Sequence, residues 1–429
     1  MRQTVPLLAL AVLLPAPLAH AQMSPRDAKV HADKKAFEAR GDWIYNDLPR
    51  AFAEAKKSGK PILAVLRCIP CEECVKLDDD LIDADRRVKP LLEKFVRVRV
   101  VMTNSLDLSV FQMDYDQSFA AFLLNADGTV YGRFGTRSHR KEWVGDVSVE
   151  GLANALQGAL ELHAAYPKNR EELALKKGPA PAFPTPEQFP TLKGRYKATL
   201  DYEGKVTPSC IHCHQVGEAI REHAMKGRKL TDDLLFPYPH PRVVGLTLDP
   251  KARARVLKVE EGSAAAEAGF KAEDVITRLG GQPLLSIADV QWVLHRASGE
   301  GAEIKAEVKR GGKAETRTLK LPAGWKRKDD ISWRASTWEL RRLALGGMLL
   351  QAPEGGKELV VQHVGQYAPH DIAHRAGVRR GDVFVRFDGK ELQRETDLIA
   401  YSLLERKENK VALEMTRGGK PYKVTLTLP

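Results

Sequence analysis

Apolar positions along this chain fall into two rhythms, helical spacing and short buried runs, and these divide it into segments. Trp43 to Lys57 sets Ile44, Leu48, Ala51, Phe52 and Ala55 on one face of a predicted helix, which Ser58-Gly59-Lys60-Pro61 stops. Ile62-Leu63-Ala64-Val65-Leu66 then runs without a polar break, as a strand covered on both faces does. It leads directly into Arg67-Cys68-Ile69-Pro70-Cys71-Glu72-Glu73-Cys74, after which a helix is expected. Phe95 to Val101 predicts a second buried strand. Phe119–Leu124, the turn Asn125-Ala126-Asp127-Gly128 and Thr129–Phe134 predict a hairpin, and Val149 to Ala165 an amphipathic helix.

The second half alternates faster. Val243–Asp249 and Arg255–Val259 predict strands, Ile287–Ala297 a helix, and Ile304–Lys309, Gly311-Gly312 and Glu315–Leu321 a closing hairpin. The same order returns in Leu359–Val364, Thr396–Leu404, Val411–Thr416, Gly418-Gly419 and Tyr422–Leu428. One unit therefore occurs twice, and each copy supports the other. Between the halves, Gly178 to Pro190 holds five prolines in thirteen residues, which predicts an extended, semi-rigid spacer. The stretch 323–340 carries Trp325, Trp333 and Trp338 and is too aromatic for a free linker.

Length and charge bound the answer without deciding it. The chain has 429 residues, enough for two to four domains at roughly 100–200 residues each. The net charge of +11 is spread evenly, with no block of like charges, so a solvated basic surface is expected and nucleic-acid binding is not. Arg2, the apolar Val5–Leu18 and the small-x-small Ala19-His20-Ala21 read as a cleavable export signal cut after Ala21. No later run reaches the roughly 20 apolar residues of a membrane span. A periplasmic or secreted protein is expected, and oligomeric state is left open.

Five cysteines carry the visible chemistry. Cys68, Cys71 and Cys74 follow the first buried strand. At a helix N-terminus the free N–H groups and the helix dipole favour a thiolate, so Cys71 is the expected nucleophile, Cys74 the resolving thiol and Cys68 a third participant. Glu72 and Glu73 oppose that thiolate. A structural disulfide or a thiolate metal site stays open. The other pair lies in Cys210-Ile211-His212-Cys213-His214, a C-x-x-C-H motif. Its spacing suits haem c attached at Cys210 and Cys213 with His214 on the iron. His212, His223, Met225 and His240 are candidates for the sixth ligand. A zinc site or a bare disulfide would use the same residues.

The strand, C-x-x-C helix, strand, hairpin and helix of residues 39–165 resemble the thioredoxin fold, with Cys71-Glu72-Glu73-Cys74 in the motif position. The resemblance implies a cis-proline facing the cysteines, and here that place holds Phe119. Residues 241–322 and 341–429 resemble bacterial PDZ domains, carried by Ser263-Ala264-Ala265-Ala266-Glu267-Ala268-Gly269-Phe270 with Asp274-Val275-Ile276, and again by Ala373-His374-Arg375-Ala376-Gly377-Val378 with Asp382-Val383. That resemblance implies peptide capture by β-augmentation along Gly245, Leu246, Thr247 and Leu248, and along Gly347, Met348 and Leu349. No Gly-x-Ser-x-Gly or Gly-Asn-Ser-Gly-Gly motif accompanies them, so a serine protease is not expected.

The chain thus reads as a multidomain protein: signal 1–21, α/β thioredoxin-like domain 39–165, Pro-rich and C-x-x-C-H segment 166–240, and two mainly-β PDZ-like domains. It is similar to secreted bacterial thioredoxin-like/PDZ proteins. The expected function is thiol–disulfide redox or electron transfer with PDZ recruitment of protein partners. The alternative is a non-enzymatic PDZ adaptor whose cysteines are structural or bind metal.

Overall fold

The computed structural model describes residues 23–69, 87–117, 119–139, 145–353, 356 and 358–429. The export signal, Cys71 and Cys74 lie outside the described residues.

The N-terminal unit is a five-stranded sheet. Strands β1 (Ile44–Tyr45), β2 (Ile62–Arg67), β3 (Val96–Val100), β4 (Phe119–Leu124) and β5 (Val130–Phe134) pair in the order β1-β3-β2-β4-β5. β2 runs parallel to β3 and antiparallel to β4. Its unbroken apolar run has a physical cause. Ile62, Ala64 and Leu66 enter a core with Ala51 and Ala55 of the Leu48–Ser58 helix, and Leu63 and Val65 enter a second core with Leu152, Ala155 and Leu156 of the Val149–Ala165 helix. Successive side chains point to opposite faces, and both faces are covered.

Three expectations change. The helix expected over Trp43–Lys57 starts at Leu48, because Asp47 caps it through the Arg50 amide at 3.0 Å and Pro49 fits only a first turn. Ile44–Tyr45 is strand instead, paired with β3. Pro25–Arg40, for which the hydrophobic pattern predicted no element, is a helix. It buries only Val30 and Phe37 among apolar side chains, and the Arg99 guanidinium lies 4.1 Å from the Phe37 ring centre and 4.4 Å from Trp43. The Pro-rich run is not an extended spacer. Phe189 and Leu192 are buried in the N-terminal core beside Phe111, Ile211 and Val216, since apolar side chains between the prolines need cover.

The repeat is present as two units. The first has β6 (Leu246–Leu248), β7 (Val256–Val259), β8 (Val275–Leu279), β9 (Gln282–Pro283), β10 (Ala302–Arg310) and β11 (Lys313–Leu321). The second has β12 (Met348–Gln351), β13 (Val360–Val364), β14 (Val383–Phe387), β15 (Lys410–Arg417) and β16 (Lys420–Thr427), paired in that order. Each unit repeats one ion pair. Arg310 binds Asp274 at 2.7 Å and the Gly269 carbonyl at 2.8 Å. Arg417 binds Asp382 at 2.7 Å and the Gly377 carbonyl at 2.7 Å. Burial pushes the Asp274 and Asp382 carboxyls up, but the guanidinium bonds outweigh it and hold both below the usual carboxylate range.

The N-terminal unit and the first repeat share a core. Leu285, next to the Ile287–Arg296 helix, inserts among Leu152, Ala155 and Tyr131. Gly132 and Gly158 make room for it: a Cβ at either would stand 2.6 Å from a Leu285 methyl. Lys176 Nζ lies 2.9 Å from Asp289 Oδ2, both fully buried. Asp289 also accepts the Arg133 and Leu285 amides at 3.2 and 2.9 Å. The Arg133 guanidinium lies 4.0 Å from the Trp292 ring centre.

Candidate functional site

Cys68 meets the C-x-x-C-H segment. β2 ends at Arg67, opposite Phe119, so Cys68 leaves the sheet at the edge where the cis-proline of a thioredoxin would stand. Phe119 is buried strand there. Cys68 Sγ lies 3.2 Å from His212 Nδ1 of the C-x-x-C-H motif. Burial, then the neighbouring His214 charge, push the His212 imidazole down to about 4, so it faces Cys68 as a neutral ring.

The motif is held by the N-terminal unit on several sides. The Thr103 amide and hydroxyl both donate to the Ile211 carbonyl, at 3.1 and 2.8 Å. Asn104 accepts the Ile211 amide at 2.8 Å and donates to the Ser209 carbonyl at 3.0 Å. Asp27 accepts the Thr207 amide at 2.7 Å, and its carboxyl is held low by those Thr207 bonds. The Cys213–Lys226 helix starts at His212, whose amide donates to Gln215 at 2.8 Å. Its Val216 and Ala219 complete the sheet's core.

This placement does not fit the expected haem. Attachment needs both sulfurs and the His214 imidazole turned to one macrocycle-sized space. Cys210 is 2% exposed, donates to the Val206 carbonyl at 2.9 Å, and packs with Val30, Ile69, Val101 and Met102. Cys213 packs instead against the core of Phe111, Ile211 and Val216. Burial pushes both thiols up to about 12, so they are held as thiols rather than thiolates. His214 bonds Glu218 at 3.0 Å. Burial alone would lower it, and Glu218 more than compensates, so it is held above the ordinary imidazole value. Of the sixth-ligand candidates, His240 turns to Asp146 at 3.5 Å and His223 packs edge-on to Phe183. Among the described residues no three His, Cys, Asp or Glu side chains converge as a metal site.

The repeats offer two unequal grooves. Gly245 and Gly347 both take φ +88, and each is required: a Cβ at Gly245 would strike Ser263 Oγ at 2.0 Å, and one at Gly347 the His370 carbonyl oxygen at 1.8 Å. Leu246, Leu248 and Met348 point into their cores, while Thr247 and Leu349 are half-exposed. At the first turn a cavity of about 430 Å³ is lined by Val243, Gly245 and Gln291, with Arg137, Arg242 and Lys328. The flanking Ile287–Arg296 helix is buried from Ile287 through Leu294, where Ser286 donates to the Arg133 carbonyl and Thr136 to Gln291. In the second repeat the groove holds its own occupant. Glu395 accepts the Leu350 amide of edge strand β12 at 2.8 Å, and Arg341 grips the same carboxylate at 2.9 and 2.6 Å. The Thr337–Leu345 helix brings Arg341 there, and Ser402 ties its Ala344 carbonyl at 2.9 Å. Sequence reading offered His212 as an iron ligand rather than as the partner of Cys68, and it did not find Glu395 or Arg341; only geometry joins these residues.

The sheet, the cysteine-bearing turn and the repeated β-units define the class: a thioredoxin-like domain followed by two PDZ domains. Residues 43–126 match the family model described as thioredoxin-like, and residues 232–321 and 346–428 that of the PDZ domain. Among curated proteins the chain is similar to a probable periplasmic serine protease do/HhoA-like of Haemophilus influenzae, 31% identical over 196 residues, 45% of this chain and 38% of that protein. It is also similar to the periplasmic pH-dependent serine endoprotease DegQ of Escherichia coli, 28% identical over 45% of this chain and 39% of that protein. The chain thus spans less than two fifths of either relative's length. Solved structures that match include the HtrA-type protease AlgW with tripeptide (16% identity, TM-score 0.18, 29% of this chain and 48% of that one). A disulphide isomerase from Xylella fastidiosa Temecula1 also matches (22%, TM-score 0.17, 36% and 97%).

Proposed function

We propose that this protein is a thiol–disulfide redox protein that recruits protein partners through its first PDZ domain. The observation that carries this is Cys68 Sγ at 3.2 Å from His212 Nδ1. A thiol within reach of a neutral imidazole has the nucleophile–base geometry. His212 Nδ1 accepts the Cys68 S–H hydrogen bond and orients the thiol; the proton passes to solvent as the thiolate attacks a partner disulfide to give a mixed disulfide. The departing partner thiolate recovers a proton from solvent. Cys71 or Cys74 then attacks the Cys68 sulfur, releasing the second partner thiol and leaving an oxidised pair in this chain. Two thiols here are oxidised as one partner disulfide is reduced. Neither haem nor metal enters this scheme.

The open turn at Gly245 has the glycine geometry that takes a partner's C-terminal carboxylate on backbone N–H groups, in a cavity that mixes Arg137, Arg242 and Lys328 with Glu260, Glu261, Asp329 and Asp330. The N-terminal apolar segment and the periplasmic names of the curated relatives support action outside the cytoplasm. The test is insulin reduction by wild type, Cys68→Ser and the double variant Cys71→Ser with Cys74→Ser. Activity in wild type that falls at least tenfold in both variants supports the proposal. Variants equal to wild type would leave the PDZ adaptor as the function.

A further inference from the structure

Where the motif helix crosses the junction between the N-terminal unit and the first PDZ domain lies a cavity of about 290 Å³. Its wall is mostly apolar, with Met113, Tyr115, Ile220, Pro237 and Trp292. Arg221 is set into that wall. It is 4% exposed, and its Nε and Nη2 have no hydrogen-bond partner among the described residues. A buried guanidinium without acceptors is costly, and a carboxylate is its best-matched partner.

The carboxylates whose charge acts on it are already engaged: Glu218 holds His214 at 3.0 Å. Asp114 takes Arg334 at 2.6 and 2.7 Å. Asp116 takes the Ser336 amide and hydroxyl at 2.8 and 2.7 Å. Asp233, also in the wall, is held by Lys326 at 2.6 Å. The wall also has an opening beside the guanidinium. Gly217, one turn before Arg221, has nothing nearer to a hypothetical Cβ than Arg221 Nη1 and Tyr115 Cβ, both at 3.8 Å.

We infer that this cavity binds a small organic acid, its carboxylate on Arg221 and its flat apolar body between Tyr115, Ile220 and Trp292. The volume lies near the lower end of ligand pockets. This site is separate from Cys68 and from both PDZ turns, and nothing in the redox proposal depends on it.

The test is calorimetric titration of the full chain with 2-naphthoate, and with neutral 2-naphthylmethanol as comparator. Wild type is expected to bind one naphthoate, and the comparator at least roughly tenfold more weakly, the cost of losing a charged hydrogen bond. Arg221→Gln is expected to lose naphthoate by a similar factor. Gly217→Leu fills the cavity mouth, keeps Arg221 and replaces a weak helix former, and is expected to lose binding with its fold intact. No binding by wild type at millimolar naphthoate overturns the inference. So does equal binding of the neutral comparator, or unchanged affinity in folded Gly217→Leu.

Discussion

Cys68 and His212 stand 144 residues apart in sequence and 3.2 Å apart in space. That contact makes the C-x-x-C-H motif a wall of the thioredoxin-like cysteine site. Of the motif's own sulfurs, Cys210 is buried, and half-buried Cys213 packs against the sheet's core.

Those two thiols are therefore expected to resist alkylation. With burial pushing both up to about 12, iodoacetamide at pH 8 should leave Cys210 and Cys213 unmodified in the folded protein and modify both in denaturant. Peptide mapping by mass spectrometry reads this out. Thioether-bound haem would leave both unmodified in denaturant too, so material from a haem-competent host tests the structural reading directly.

The second PDZ groove is expected to be protected by its own glutamate. Leu350 belongs to edge strand β12, yet its amide is bonded to Glu395. Hydrogen exchange at Leu350 should be slow in peptide-free protein and fast in Glu395→Ala. That variant also leaves Arg341 buried and unpaired, which costs about 3–5 kcal/mol. Replacing both, Arg341→Met with Glu395→Leu, should recover most of the loss in urea denaturation.

Lys176 and Asp289 should behave as a coupled pair. Lys176→Met alone leaves Asp289 with two backbone amides and the unbonded charge of Arg133, and should cost up to about 3–5 kcal/mol. The double variant Lys176→Met, Asp289→Leu also strips the acceptor from those amides, so it should recover only part. A double-mutant cycle in urea should show a coupling energy of at least about 1 kcal/mol.

Asp329 should make stability fall as pH rises. Burial, partly offset by Arg334 at 3.6 Å and reinforced by Asp114, pushes its carboxyl up to about 7. The folded state then holds a proton that the unfolded chain releases near 3.8. Between those values the folded state binds more protons, so its stability declines toward pH 7 and the loss is complete above it. Asp329→Asn should raise the urea midpoint most at pH 8.5, by a smaller amount at pH 5, and make little difference near pH 3. At about 1.4 kcal/mol per pKa unit the effect is at most a few kcal/mol.

The sheets were legible because their signal is local. The Ile62–Leu66 run, the Val149–Ala165 helix and the Ser263–Asp274 motif each carry their pattern within a few residues of sequence. The Pro25–Arg40 helix was not legible, since a helix that buries just two apolar side chains has almost no periodicity to read. Cys68 with His212, Arg341 with Glu395, and Lys176 with Asp289 were beyond reach for another reason. Each pair is set by how finished units dock, and no spacing in the chain encodes it. The C-x-x-C-H motif left its chemistry open for the same cause, because its spacing says nothing of which way the sulfurs turn.

Leu285 bears on the order of events as the chain is made. The N-terminal core leaves a hole between Gly132 and Gly158 that residue 285 fills. A nascent chain that stops at the end of the Val149–Ala165 helix has the sheet but not the side chain that closes it. The thioredoxin-like domain thus reaches its final packing only after more than a hundred further residues have been synthesised. It and the first PDZ domain should mature as one cooperative unit rather than one after the other.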